Sequence, residues 1–266
     1  MPSPDRALTG RTILAIFAHP DDESLACGGT LARAADAGAR VVVVSVSRGE
    51  AGSISDGSLV PDGDLGRTRT RELGNAGRAL GIAEVVVFDH PDGNVTWGRP
   101  DDLEAELALT IARFHADAVI TFDDDGLYWH PDHIGVHEHT TAAVASRGQD
   151  APALYYVTTP PGVMRAVVDA AHLDPRAPAE LSLWGISPEA FGHAAKAPTF
   201  AVDVRDWVPR KLDALRCHRT QIGPGNPFTW IDDDSARRML GTEYFRRAPI
   251  AGAHEPLLET LAISCA

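Results

Sequence analysis

Short apolar, β-branched runs alternate with Ala/Leu-rich amphipathic segments along the first 158 residues, and this alternation constrains the fold more than any other feature. The strand-like runs are "TILAIFA" (12–18), "RVVVVSVS" (40–47), "EVVVF" (84–88), "DAVITF" (117–122) and "ALYYV" (153–157). Between them lie helical patterns at 25–38, 68–82, 101–115 and 132–147. Strands without polar alternation are covered on both faces, and strands separated by helical crossovers pair in parallel. The expectation is an α/β, Rossmann-like, doubly wound and mostly parallel sheet. Gly38 and Gly81 stand where left-handed helix ends are expected.

Beyond residue 158 the pattern breaks into Pro-rich joints, then a strand "TFAVDV" and a helix "VPRKLDALRCHRTQ". No linker-like composition sets this part off. The expectation is one domain over 1–266, with a core at 10–158 and a C-terminal α/β lobe at 159–266 that decorates the sheet and shapes the substrate pocket.

Ligands of open parallel sheets bind beyond the carboxyl ends of the strands, where strand order reverses. Two polar clusters fall there: "AHPDDES" after the first strand and "DDDGLYWHPDH" after "DAVITF". Neutral imidazoles and carboxylates from separate loops are what a catalytic zinc ion needs, with three protein ligands and an open position. The His-x-x-Asp spacing can bring His19 and Asp22 onto one point, and either His130 or His133 can complete the triad. Asp21, beside the ligand pair, is the candidate general base, and the remaining histidine can hold a developing oxyanion. These parts describe metal-assisted hydrolysis of an amide or ester.

Blander roles are expected elsewhere. Glu23 reads as a helix cap, 123–125 as a solvated loop in which one member is placed to orient a ligand histidine, and 232–234 as a cap or exposed face. His90, His137 and His139 are not expected to bind metal. Cys27, Cys217 and Cys265 read as small packing residues in a reducing compartment. A formal charge of -13 argues against nucleic acid and anionic membranes as partners. The absence of a signal-like or membrane-spanning segment leads to the expectation of a cytoplasmic chain.

"AHPDDE" after a first strand together with "HPDH" after a later one resembles the LmbE-like superfamily of zinc-dependent de-N-acetylases, with weaker similarity through residues 10–160 and in "RGEAG", "LRCHRTQ" and "EYFRR". The resemblance implies His19, Asp22 and His133 as ligands of one zinc ion, with ferrous iron the alternative occupant, and Asp21 as general base. It makes His130 the second histidine, which stabilises the oxyanion or serves as acid. It further implies Tyr128 as a carbonyl-polarising group, as in the mycothiol branch, and Arg69, Asp92 and Glu50 as substrate contacts. The implied substrate is a small amino-sugar conjugate such as an N-acetylglucosamine derivative; a homo-oligomer is left open.

Three other readings compete. An amidase that cleaves a larger acyl unit from a glucosamine–inositol conjugate shares all the motifs. A non-haem Fe(II) oxygenase shares the two-histidine, one-carboxylate set but gives Asp21 no task. A non-catalytic sugar- or nucleotide-binding module is disfavoured because the first βα turn lacks G-x-G-x-x-G and carries carboxylates instead.

Overall fold

The computed structural model describes residues 6–95, 100–250 and 256–263. Strands β1 (Thr12–Phe17), β2 (Arg40–Ser45), β3 (Glu84–Val87), β4 (Ala118–Phe122) and β5 (Ala153–Thr158) pair in parallel, as their unbroken apolar runs dictate. Strands β6 (Phe200–Asp203) and β7 (Thr242–Arg247) extend the sheet in antiparallel fashion. The order across all seven strands is β3-β2-β1-β4-β5-β7-β6, so strand order reverses at β1 and β4. Strand β7 has no counterpart among the runs expected from the sequence; its charged, alternating "TEYFRR" pairs with β5 on one side and β6 on the other.

Helices α1 (Asp22–Asp36), α2 (Leu65–Leu80), α3 (Pro100–Phe114) and α5 (Pro131–Ala145), with the short turn α4 (Gly126–Trp129), connect the parallel strands. The Asp64 carboxylate caps α2 by accepting the Arg67 N–H at 2.8 Å, and Gly81 ends it at φ 77. The C-terminal segment supplies α6 (Val163–Ala171), α7 (Val208–Cys217) and α8 (Asp233–Leu240), whose cap at Asp232 matches the expected role of that run. One apolar cluster fills the sheet faces and a second lies under α6, α7 and α8; Tyr128 packs against both. Cys27 is buried and Cys217 half-buried, both as free thiols, while Cys265 lies outside the described residues. Among the described residues no helix is long and apolar enough to cross a membrane.

Helix α1 is broken at Cys27 (φ -150, ψ 27). The Glu243 carboxylate of β7 enters the break and accepts the N–H groups of Gly29 and Thr30 at 3.0 and 2.7 Å, as an anion does at a helix start. A Cβ on Gly29 would lie 2.7 Å from Val204, so only glycine admits this approach. The Lys211 ammonium balances Glu243 at 2.6 Å, both side chains being almost fully buried. Lys211→Met should therefore strand a buried charge and lower the unfolding free energy by about 3–5 kcal/mol, read from the urea midpoint at constant m-value.

Candidate metal centre

Strands β1 and β4 are neighbours, with Ile13–Ala15 in register against Ala118–Ile120, so the loops leaving their carboxyl ends share one crevice. His19 is 7 % exposed, Asp22 3 % and His133 0 %, a degree of burial that demands partners for every polar atom.

Hydrogen bonding fixes which imidazole nitrogens carry protons. His133 Nδ1 lies 3.0 Å from the Gly126 carbonyl, which can only accept, so Nδ1 carries a proton and Nε2 is the nitrogen available as a ligand. That buried Nε2 has no hydrogen-bond partner, yet Asp22 Oδ1 is 3.1 Å away. On His19, Nε2 faces two carboxylates, Asp92 Oδ1 at 3.0 Å and Asp132 Oδ2 at 3.2 Å, which hold the proton there. His19 Nδ1 faces Asp22 Oδ2 at 3.3 Å. With the proton on that nitrogen displaced, both imidazoles offer a lone pair toward the same point beside Asp22, where a cation can sit. Two donors at about 2.0–2.1 Å from one tetrahedral ion are about 3.3 Å apart, so the spacings and the donor chemistry both fit a divalent ion held by His19, Asp22 and His133. The ring nitrogens of His19, His130 and His133 also lie within 4.8 Å of one another. Phe122 stacks on the His133 ring at 4.0 Å and fixes its plane.

Burial opposes charge on His19, but hydrogen bonds to Asp132, Asp22 and Asp92 outweigh it and raise its pKa well above the ordinary imidazole value. Burial likewise works against ionised Asp22, and the adjoining His133 and His19 reverse this, holding it well below the usual carboxylate range. Asp92 is held at about 2, burial being overcome by its bond to His19.

Asp21 occupies a backbone conformation, φ 127 and ψ -24, that costs a non-glycine residue about 1–3 kcal/mol. Burial pushes its carboxyl up to about 6 against the opposing pull of the Arg69 guanidinium. Arg69, itself buried, donates to the carbonyls of Gly49 and Pro20 at 2.8 and 2.7 Å and to Asp21 Oδ2 at 3.2 Å. Gly49, at φ +66, makes room for it, since a Cβ there would fall 2.4 Å from the guanidinium. His130 caps α5 by accepting the Asp132 N–H on Nδ1 at 3.2 Å, which leaves Nε2–H as a donor. Burial, with His133 and His19 close by, lowers its pKa to about 4, so it donates as a neutral imidazole rather than an imidazolium. Burial among Asp22 and Asp21 keeps Tyr128 protonated, its pKa well above the ordinary phenol value.

These groups line a cleft of about 280 Å³, near the lower bound for small-molecule sites (~300–1,000 Å³). Asp21, Arg69, Asp92, Tyr128 and His130 all border it, whereas Glu50 stands behind Asp92 and accepts its N–H at 2.9 Å. Trp184, Ile186 and Gln221 complete the lining from the C-terminal segment. No local pattern marks Trp184 and Ile186, which arrive from a distant loop, whereas Gln221 closes the family-like "LRCHRTQ". Asp132, in the middle of "HPDH", is equally silent in sequence. It is fully buried and accepts the N–H groups of Gly93 and Val95 at 2.7 and 3.0 Å while orienting His19, as carboxylates behind metal-bound histidines do.

One expectation holds in altered form and one needs correction. Glu23 serves the start of α1 from behind: its Oε2 accepts the N–H of the N-cap residue Asp21 at 3.0 Å, as the acid of a capping box does, while its Oε1 meets His218 Nε2 at 2.9 Å. Asp123 is not solvated: it is 1 % exposed and takes a two-pronged bond from Arg246 at 2.6 and 2.8 Å. Asp124 does stay near the surface, paired with Lys196, and Asp125 caps α4. His90 pairs with Glu106 at 2.9 Å, away from the cleft residues.

Comparison with known proteins supplies the remaining observations. Residues 14–144 match the family model PIG-L, GlcNAc-PI de-N-acetylase. A 1D-myo-inositol 2-acetamido-2-deoxy-alpha-D-glucopyranoside deacetylase from Thermomonospora curvata is 33% identical over 89% of this chain and 90% of its own. Among solved structures, the N,N'-diacetylchitobiose deacetylase of Pyrococcus horikoshii superposes with a TM-score of 0.62 at 23% identity, covering 90% of this chain and 84% of that one. The 4-carboxy-2-hydroxymuconate hydratase of Pseudomonas putida superposes with a TM-score of 0.61 at 18% identity, covering 90% and 96%. A deacetylase and a hydratase on one scaffold show that the fold alone does not select the reaction.

Proposed function

This chain belongs to the PIG-L family of GlcNAc-PI de-N-acetylases, and from that premise we propose that it is a zinc-dependent hydrolase removing an N-acetyl group from a glucosamine-containing conjugate. The observation that carries this reading is that one ring nitrogen each of His19 and His133 is turned toward the Asp22 carboxylate. These three side chains would hold the ion. When bound, zinc supplies Lewis acidity, which polarises the amide carbonyl and lowers the pKa of a water to about 7.

The remaining work falls to the chain's own groups. Asp21 takes a proton from the attacking water as its oxygen bonds to the amide carbon. Arg69 keeps the Asp21 carboxylate oriented. Tyr128, as a phenol, and His130, through Nε2–H, donate to the oxygen on which charge develops. The C–N bond then breaks, the amine departs with the transferred proton, and acetate remains. Asp132 keeps His19 in its required tautomer, and its N–H does the same for His130.

The substrate class is supported by the cleft and its neighbour. A second cavity of about 410 Å³ shares Ser53, Trp184 and Gln221 with the first, and its other polar side chains are those of Ser55, Ser182, Thr220 and Asn226. Neutral donors and acceptors beside an indole suit a hydroxyl-rich aglycone better than an anionic one. Arg69, Asp92 and, through Asp92, Glu50 are proposed to meet the sugar.

The test is primary-amine release from N-acetylglucosamine, its inositol glycoside, N,N'-diacetylchitobiose and a conjugate bearing a larger acyl group. Amine from the N-acetyl compounds is the expected result; amine only from the larger acyl conjugate would establish the amidase instead. Chelation should abolish release and added zinc should restore it, with metal content measured in parallel.

A further inference from the structure

Glu23 and His218 are 1 % and 0 % exposed and meet directly behind Asp21, yet neither has a part in the chemistry above. The two oxygens of Glu23 work in opposite directions. Oε2 accepts the Asp21 N–H at 3.0 Å, while Oε1 receives the Ser24 hydroxyl and faces His218 Nε2 at 2.9 Å. A carboxylate only accepts, so Nε2 carries the proton; the buried Nδ1 has no partner, and Glu23 is what the ring is positioned to hold. His218 is itself anchored. It ends α7, and two residues on Thr220 donates its N–H and hydroxyl to Glu72 at 2.9 and 2.6 Å.

Asp21 needs such restraint, because φ 127 is a conformation that an L-residue leaves unless both flanking peptide planes are held. The plane after it is held by the Ser24 and Leu25 N–H groups, each 3.1 Å from the Asp21 carbonyl. The plane before it is held by Glu23. We infer that the Glu23–His218 pair is a positioning device for Asp21, reaching from the C-terminal lobe to lock the peptide that aims the Asp21 carboxylate into the cleft. The inference rests on the reading of Asp21 as the base.

The test compares zinc-loaded His218→Ala, His218→Gln and Asp21→Asn with the parent in amine release, alongside zinc content and a crystal structure of His218→Ala. His218→Ala is expected to lose about 10- to 100-fold in kcat at unchanged KM and unchanged zinc, the scale of a reacting group displaced by about 1 Å. Its Asp21 should relax to negative φ, and His218→Gln, whose amide can still donate to Glu23, should recover most of the loss. Unchanged kcat in His218→Ala, or Asp21 still at positive φ, would overturn the inference; so would loss of zinc or a raised KM that glutamine does not rescue. Should His218→Ala fail to fold, Glu23→Asp, too short to span both partners, is expected to show the same kcat loss, and full kcat there would overturn it equally. Full turnover in Asp21→Asn would remove the base itself, whereas an inactive Asp21→Asn with a fully active His218→Ala would remove only the clamp.

Discussion

Asp21→Asn should keep its metal and lose about 10²–10⁴-fold in kcat, with little change in KM, because the amide fills the same space but cannot accept a proton from water. The geometry sharpens this expectation. Asp21 lines the cleft without sharing in the His19, Asp22 and His133 cluster, and its contact within hydrogen-bonding reach is Arg69, 3.2 Å away. Steady-state kinetics on the best substrate from the amine-release screen, with metal content on the same samples, checks it. A variant that retained full turnover would transfer the base role to another group.

The second large effect is on metal binding. Structural zinc sites gain about 10–16 kcal/mol in all, so with His19, Asp22 and His133 as the proposed ligands, deleting one of the three should weaken metal binding by about 3–5 kcal/mol, or about 10²–10⁴-fold. His133→Ala should therefore emerge from desalting nearly metal-free. His130→Ala should not, because the His130 Nδ1 is occupied by the Asp132 N–H and its other nitrogen is left as a donor. The contrast matters because the nitrogens of both histidines lie within reach of His19. The opposite outcome, with zinc lost from His130→Ala and kept by His133→Ala, would exchange their roles.

Much of this site was legible in the sequence because its parts sit where local rules apply. The β1 and β4 runs are apolar throughout, so their ends could be located, and ligand-type residues past both ends mark the crevice of a doubly wound sheet. The Gly81 stop and the Asp232 cap follow from similarly short-range chemistry. What escaped notice depends on partners far along the chain. Asp123 looked solvated because nothing nearby announces Arg246, which reaches it only once β7 lies beside β5. Glu23 reads as a plain cap because nothing nearby announces its second partner, His218, which arrives at the end of α7. The helix expected to run on to Gln221 stops at Cys217 for the same reason, its last turn giving way where His218 turns inward. Strand β7 carries charges that only burial against α1 explains, Glu243 in the helix break above all.

Helix α7 packs along α1 and α2 and is anchored by polar contacts: Arg210 donates to the Leu80 carbonyl and to Asp36, Lys211 pairs with Glu243 of β7 beside the break in α1, and His218 follows its end. The loops that form the outer cleft wall, around Trp184 and Gln221, lie to either side of this rigid strut. The cleft wall contributed by 180–187 and 221–226 is thus joined to the scaffold through this strut. Grafting those two loops from a relative should alter the outer cleft while the strut and its three anchor residues are carried through unchanged.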